Sequence, residues 1–126
     1  MKENMKLTKQ ATSLLNITLE ECAEVVQSIS KIFRFGMDGT HPDRPLETNK
    51  MHLEEEIGDL LCMIQLLESQ GLLDAAVVEV AMHKKLDKLK FWSPEVFDNL
   101  TESDNKHTRK RRMFSPKVAR NIFPPP

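Results

Sequence analysis

From Met5 to Phe33 the polar and apolar positions alternate with a helical period. Leu7, Ala11, Leu14, Leu15, Thr18, Cys22, Val25, Ile29 and Ile32 recur every three or four residues, which predicts one long amphipathic helix. Thr18 with Glu21 three residues later has the form of a capping box that would open a new helix, yet neither Asn16 nor Thr18 breaks the phase, so a continuous helix is the better reading. Phe35-Gly36 stops it, and GMDGTHPDRPLETN, with two glycines and two prolines, reads as a loop. A second helix is expected over Lys50 to Ser69, with Leu53, Ile57, Leu60, Leu61, Ile64 and Leu67 inward and Gly71 as its stop. A third is expected over Leu72 to Phe91, with Leu73, Ala76, Val77, Val80, Leu86 and Leu89 inward. Ser93-Pro94-Glu95 then opens a short fourth segment, SPEVFDNL, by the cap-then-proline pattern. No strand is expected anywhere in the chain. The expected fold is all-α: an antiparallel bundle of three long helices plus a short C-terminal helix.

A chain of 126 residues carries one domain's worth of sequence, and fewer than 100 residues in helices leave a small core. The first helix is apolar over more turns than the others can cover, so completion by oligomerisation is expected, as a homodimer or homotetramer. Charge divides the chain. Residues 1–105 hold 11 Lys and Arg against 19 Asp and Glu, or −8, whereas residues 106–126 hold seven basic residues and no acid, or +7. This separates a helical body, 1–105, from a basic tail, 106–126, that is either flexible or docked along the acidic body through Phe114, Ile122 and Phe123. No apolar run approaches the roughly 18 residues of a membrane span, and the first residues lack the apolar stretch of a secretory signal, so a cytoplasmic protein without membrane attachment is expected. Cys22 and Cys62 fit neither a disulfide framework nor a zinc spacing and read as small buried thiols.

The chemistry concentrates in two acidic pairs. Glu21 and Glu24 flank the apolar stripe of the first helix, and Glu56 and Asp59 flank that of the second, each pair three residues apart and so on one helical face. Acidic pairs of this spacing are common on solvated faces. Two of them on equivalent flanks of neighbouring helices form four carboxylates that repel one another unless cations sit among them. Hard oxygen ligands suit Mg²⁺, with Mn²⁺ as the alternative.

The segments EECAEVVQSISKIFRFG and LEEEIGDLLCMIQLL, separated by a connection, resemble the MazG-like all-α nucleoside triphosphate pyrophosphohydrolase superfamily, which also includes dimeric dUTPases, dCTPases and phosphoribosyl-ATP pyrophosphatases. Glu21-x-x-Glu24 and Glu56-x-x-Asp59 match its ExxE and ExxD signature, and the similarity extends over about residues 5 to 92. The resemblance implies hydrolysis of a (deoxy)nucleoside triphosphate between the α and β phosphorus atoms, giving monophosphate and pyrophosphate. It implies metal ligation by Glu21, Glu24, Glu56 and Asp59, with Glu21 also orienting the attacking water. It further implies a phosphate contact from the third helix, where Lys85 fits, Lys88 lies one turn on, and His83 replaces the usual Asn. Lys31 and Arg34 are further phosphate candidates. The connection from Glu24 to Glu56 has 31 intervening residues, and its Arg44 and Asn49 belong either to a lid over base or sugar or to an ordinary surface loop. Phe33, Phe35 and Trp92 are aromatics near helix ends, more often core than base-stacking.

Two other classes compete with the enzyme. A nucleic-acid-binding protein would use KHTRKRRMFSPK as a phosphate-gripping arm, against which stand the acidic body and the scarcity of aromatics in the tail. A helical scaffold that has lost catalysis would not need all four signature carboxylates.

Overall fold

The computed structural model describes residues 6–98, and the basic tail assigned to 106–126 lies outside them. The elements are α1 (Lys9–Phe35), β1 (Thr40–His41), β2 (Arg44–Thr48), α2 (Asn49–Ser69), α3 (Ala75–Trp92) and a 3₁₀ turn (Pro94–Phe97). The architecture is thus mostly helical. The chain divides into two compact units between Leu72 and Leu73.

In the first unit α1 packs against α2. The helix α1 is continuous through Thr18, whose hydroxyl donates back to the Leu14 carbonyl at 2.7 Å and so turns a potential cap into an interior residue. It begins at Lys9 rather than Met5 because Thr8 accepts from the Ala11 amide at 3.0 Å as the N-cap. The end of α2 is a Schellman motif: Leu72 N donates to Leu67 O, Gly71 N donates to Glu68 O, and Gly71 takes φ +72°.

The connection between the helices differs from the expected loop. Residues 40–41 and 44–48 pair as a two-stranded antiparallel hairpin around Pro42-Asp43, with Thr40 opposite Thr48 and His41 opposite Arg44. Its residues are almost all exposed, so the hairpin has no apolar alternation to announce it, and Pro45 sits where an unpaired edge tolerates a missing donor. Asn49 decides the geometry. It is the first residue of α2 and buried, and its Nδ2 donates to Gly36 O at 2.8 Å while its backbone N donates to Gly39 O at 2.8 Å. A Cβ on Gly39 would lie 2.5 Å from Phe35 O and 2.8 Å from Asn49 Nδ2, so only glycine fits this close approach. Asn49 is therefore a latch that brings the start of α2 back beside the end of α1. At the opposite end, residues from both Thr8–Leu14 and Gln70–Leu72 line one groove, so the two helices run antiparallel.

In the second unit α3 starts at Ala75, not at Leu72, because Asp74 caps it through Oδ1 to the amides of Ala76 at 2.9 Å and Val77 at 3.4 Å. It ends at Trp92, where Ser93 N donates to Leu89 O at 2.9 Å. The fourth segment is the 3₁₀ turn Pro94–Phe97. Several apolar positions expected inward are open: Val77 and Val80 on α3, Leu15, Ile29 and Ile57 on the longer helices, and Leu7 ahead of α1. The aromatics Phe33, Phe35 and Trp92 are exposed rather than core, as are both thiols, Cys22 and Cys62. For Cys22, Ile29 and Ile57 the reason lies in the packing seam of α1 and α2, which takes in the preceding residue, Glu21, Ser28 or Glu56, instead.

Leu67, 4% exposed, and Asn49 anchor opposite ends of the helix pair. Leu67→Ala is expected to cost about 2 to 4 kcal/mol through lost burial and the cavity left behind, and Asn49→Ala about 1 to 2 kcal/mol through the orphaned carbonyl. Urea unfolding followed by circular dichroism measures both, and an unchanged midpoint for either contradicts its anchoring role.

Candidate metal centre

The least exposed residues of α1 are Ala11, Leu14, Thr18, Glu21, Val25, Ser28 and Ile32, spaced alternately three and four apart. On α2 the matching series is Asn49, Leu53, Glu56, Leu60, Met63 and Leu67. These are the two seams of a left-handed, coiled-coil-like packing. Glu21 and Glu56 each occupy a seam position and are half-buried, so the neighbouring apolar residues limit their rotamers. Glu24 and Asp59, three residues further along each helix, are exposed.

One carboxylate oxygen from each of Glu21, Glu56 and Asp59 lies within 4.8 Å of the others. The two helices thus converge three of the four expected acids on one point. Glu24 lies outside that triangle but close enough for its charge to act on Glu56. Like charges at this separation repel by about 1 kcal/mol in water-like surroundings and about 3 kcal/mol at the effective dielectric of a protein surface. The effect falls on Glu56: desolvation in the seam, then the charges of Glu24, Asp59, Glu55 and Glu21, hold its carboxyl above its ordinary value of 4.5. A set of all-oxygen, anionic donors drawn together from two rigid helices fits a hard divalent cation, whose charge would relieve that repulsion.

Of the cationic candidates, Lys31 and Arg34 are exposed on the last turns of α1, and the Arg34 guanidinium stacks 4.9 Å from the centroid of the Phe35 ring. Neither forms a salt bridge among the described residues. Lys85 and Lys88 are exposed on α3 in the second unit, and His83, two residues before Lys85, lies 3.9 Å from Glu79. Of the loop candidates, Asn49 is committed to its structural bonds, whereas Arg44 sits on β2 and donates to Glu47 at 3.5 Å. His52, which the hydrophobic pattern did not single out, shares a face with Glu56 and Asp59 by their i, i+4, i+7 spacing, but its Nε2 lies 3.4 Å from Glu47 Oε2 rather than in the acidic cluster. That spacing was the available signal.

A family model of the MazG nucleotide pyrophosphohydrolase domain matches residues 9–97. The chain belongs to the MazG family. The match spans α1, the hairpin, α2, α3 and the 3₁₀ turn, so the acidic centre of this MazG domain lies within it. No curated protein and no solved structure matches the chain. Among the described residues no helix is long and apolar enough to cross a membrane.

The raised Glu56 carboxyl sets the sign of a pH effect. A folded-state value above the unfolded one means that the native protein binds more protons in the window above 4.5, so the stability contributed by Glu56 is complete below the unfolded value and is lost as pH rises through the folded one. In metal-free protein Glu56→Gln should therefore flatten the loss of stability on raising the pH from about 4.5 to neutrality. Chemical unfolding at a series of pH values reads this, and identical slopes in both proteins would remove Glu56 as the source. Glu68, raised by burial alone and with a buried Oε1 that has no hydrogen-bond partner among the described residues, contributes with the same sign and remains in both proteins.

Proposed function

We propose that the chain is a Mg²⁺-dependent nucleoside triphosphate pyrophosphohydrolase that cleaves between the α and β phosphorus atoms to release a monophosphate and pyrophosphate. The observation that carries this reading is the convergence of Glu21, Glu56 and Asp59 from two helices of a MazG domain. Glu21, Glu24, Glu56 and Asp59 hold the divalent cation, with Mg²⁺ favoured and Mn²⁺ the alternative. When bound, the cation supplies charge neutralisation on the phosphate oxygens and lowers the cost of deprotonating water.

The chain's own groups do the rest. Glu21, restrained in the seam, orients the attacking water and takes up its proton. The restraint matters because a base that samples several rotamers spends little time at the reacting water. Lys31 and Arg34 are the candidates on α1 to neutralise the non-bridging oxygens as negative charge shifts to the pyrophosphate leaving group, a role that the family resemblance gives also to Lys85 and Lys88. Glu24 and Asp59, on the open flanks, keep the centre accessible to a large anionic substrate.

A homodimer or homotetramer belongs to the same reading, in a soluble cytoplasmic protein. Its support is a second stripe on α1: Leu15, Leu19, Cys22, Val26, Ile29 and Phe33, again spaced three and four apart and all exposed, with Leu19 at 70%, Val26 at 64% and Phe33 at 86%. Such a face is costly to leave in water and has the pattern of a helix-packing seam.

The assay incubates the full chain with Mg²⁺ and a panel of canonical (d)NTPs and separates nucleoside monophosphate from diphosphate products. Monophosphate with stoichiometric pyrophosphate is expected. Diphosphate with orthophosphate, or no metal-dependent turnover, overturns the reading. Glu21→Gln, Glu24→Gln, Glu56→Gln and Asp59→Asn should each lower kcat at least about 100-fold with helicity unchanged. Lys85→Ala should lower kcat/KM about 100-fold, as expected for a lost charge-assisted contact of about 2 to 3 kcal/mol. An unaltered kcat/KM reassigns Lys85 to the solvated face of α3. Light scattering at micromolar concentration should give a mass above the 14.5 kDa of one chain, and a monomer refutes the assembly.

A further inference from the structure

Beside the acidic centre lies a second constellation with its own cavity. A hollow of about 170 Å³ is lined by Glu47 from β2 and by Met51, His52 and Glu55 from the first turns of α2. It is smaller than the roughly 300–1,000 Å³ of whole-ligand pockets, so it takes one part of a ligand. Its place is defined by the helix. His52 precedes Glu56 by four residues and Asp59 by seven, on the same face, and one turn of α2 is about 5.4 Å. The hollow therefore lies one to two turns toward the helix N-terminus from Glu56 and Asp59.

The internal arrangement of Glu47 is informative. The Arg44 guanidinium donates to its Oε2 at 3.5 Å, and the His52 Nε2 lies 3.4 Å from the same oxygen. Both contacts fall on Oε2. Among the described residues Oε1 takes part in neither, so one oxygen of the carboxylate is left to accept from a ligand. Glu55 adds a second acceptor-only group, and Met51 adds a polarisable apolar wall suited to the edge or face of an aromatic ring.

From these observations we infer that Glu47 is a specificity-determining residue that reads a nucleobase through an exocyclic amino group, with His52 as the residue that positions it. This rests on the pyrophosphohydrolase reading for the location of the triphosphate at the acidic centre. With the α-phosphate there, the sugar attached to it lies next to Glu56, and the base reaches one turn further, to the hollow. Carboxylates accept hydrogen bonds and donate none when ionised, so the site favours bases that present an amino group and disfavours those that present a carbonyl at the same place. Cytosine carries the 4-amino group where uracil carries a carbonyl. That pair isolates the contact.

The experiment compares dCTP with dUTP on the full chain in two ways: kcat/KM with Mg²⁺, and equilibrium affinity for the non-hydrolysable α,β-methylene analogues by calorimetry. Wild-type protein should favour the cytosine nucleotide by about tenfold or more in both measurements, and Glu47→Gln, whose amide both donates and accepts, should bring the ratio close to one. Turnover of dCTP by the variant should show a raised KM with kcat nearly unchanged. His52→Ala should shift KM in the same direction, and His52→Gln, which restores a donor, should recover much of it. Equal wild-type affinity for the two analogues, or a cytosine preference that survives in Glu47→Gln, overturns the inference. A wild-type protein that binds the analogues with the stated preference but hydrolyses neither triphosphate leaves the base contact intact and overturns the pyrophosphohydrolase reading instead.

Discussion

The packing of α1 against α2 is the constraint on which the rest of the first unit depends. Each helix presents a seam with alternating three- and four-residue spacing, and each seam includes one glutamate, Glu21 on α1 and Glu56 on α2. Apolar neighbours on both sides fix the separation of the helices. The two acids are then held together by contacts that have nothing to do with charge. Because those contacts are formed in folding, the folded protein carries both the desolvation of Glu56 and the repulsion of the acids around it, and together these raise the Glu56 carboxyl.

The connection sets the register of that packing. The Asn49 side chain bonds to Gly36 and its backbone to Gly39, while Lys50 N donates to Met37 O at 3.0 Å. These bonds fix where α2 begins relative to the end of α1. A shift of one residue would rotate α2 by about 100° and carry Glu56 and Asp59 away from Glu21. The latch is thus as much a part of the acidic centre as the apolar seam. It also explains why the hairpin's last residues and the first turn of α2 form one hollow: Glu47 and His52 lie on either side of the same fixed junction.

How much of this was legible in the sequence follows from which physical signal each part carries. The three long helices were legible because their period extends over many turns, and continuity through Thr18 was legible because the phase does not break there. The ends were less so: α1 and α3 start three to four residues later than the apolar period alone suggests, where Thr8 and Asp74 cap them. The hairpin was not legible, since two exposed strands of two and five residues leave no hydrophobic alternation. The acidic pairs were legible by spacing, and three of the four acids meet. The phase of the seam was not. Sequence periodicity places Cys22 and Ile29 inward, but the structure turns Glu21 and Ser28 into the seam and leaves Cys22 and Ile29 exposed. The apolar content of α1 forms two stripes rather than one, and a single chain has only one α2 to cover them.

The division of labour within each acidic pair follows from the same geometry. If all four carboxylates lay in the seam, burial would oppose their ionisation and favour protons over a cation. If all four lay on the open flank, each would sample several rotamers, and gathering them around an ion would cost side-chain entropy each time. One restrained acid and one exposed acid per helix avoids both extremes. Glu21 and Glu56 hold a fixed separation at modest desolvation, while Glu24 and Asp59 remain hydrated and free to adjust to what arrives. A cation held as proposed would exchange its other ligands through the exposed half of the centre without disturbing the restrained half.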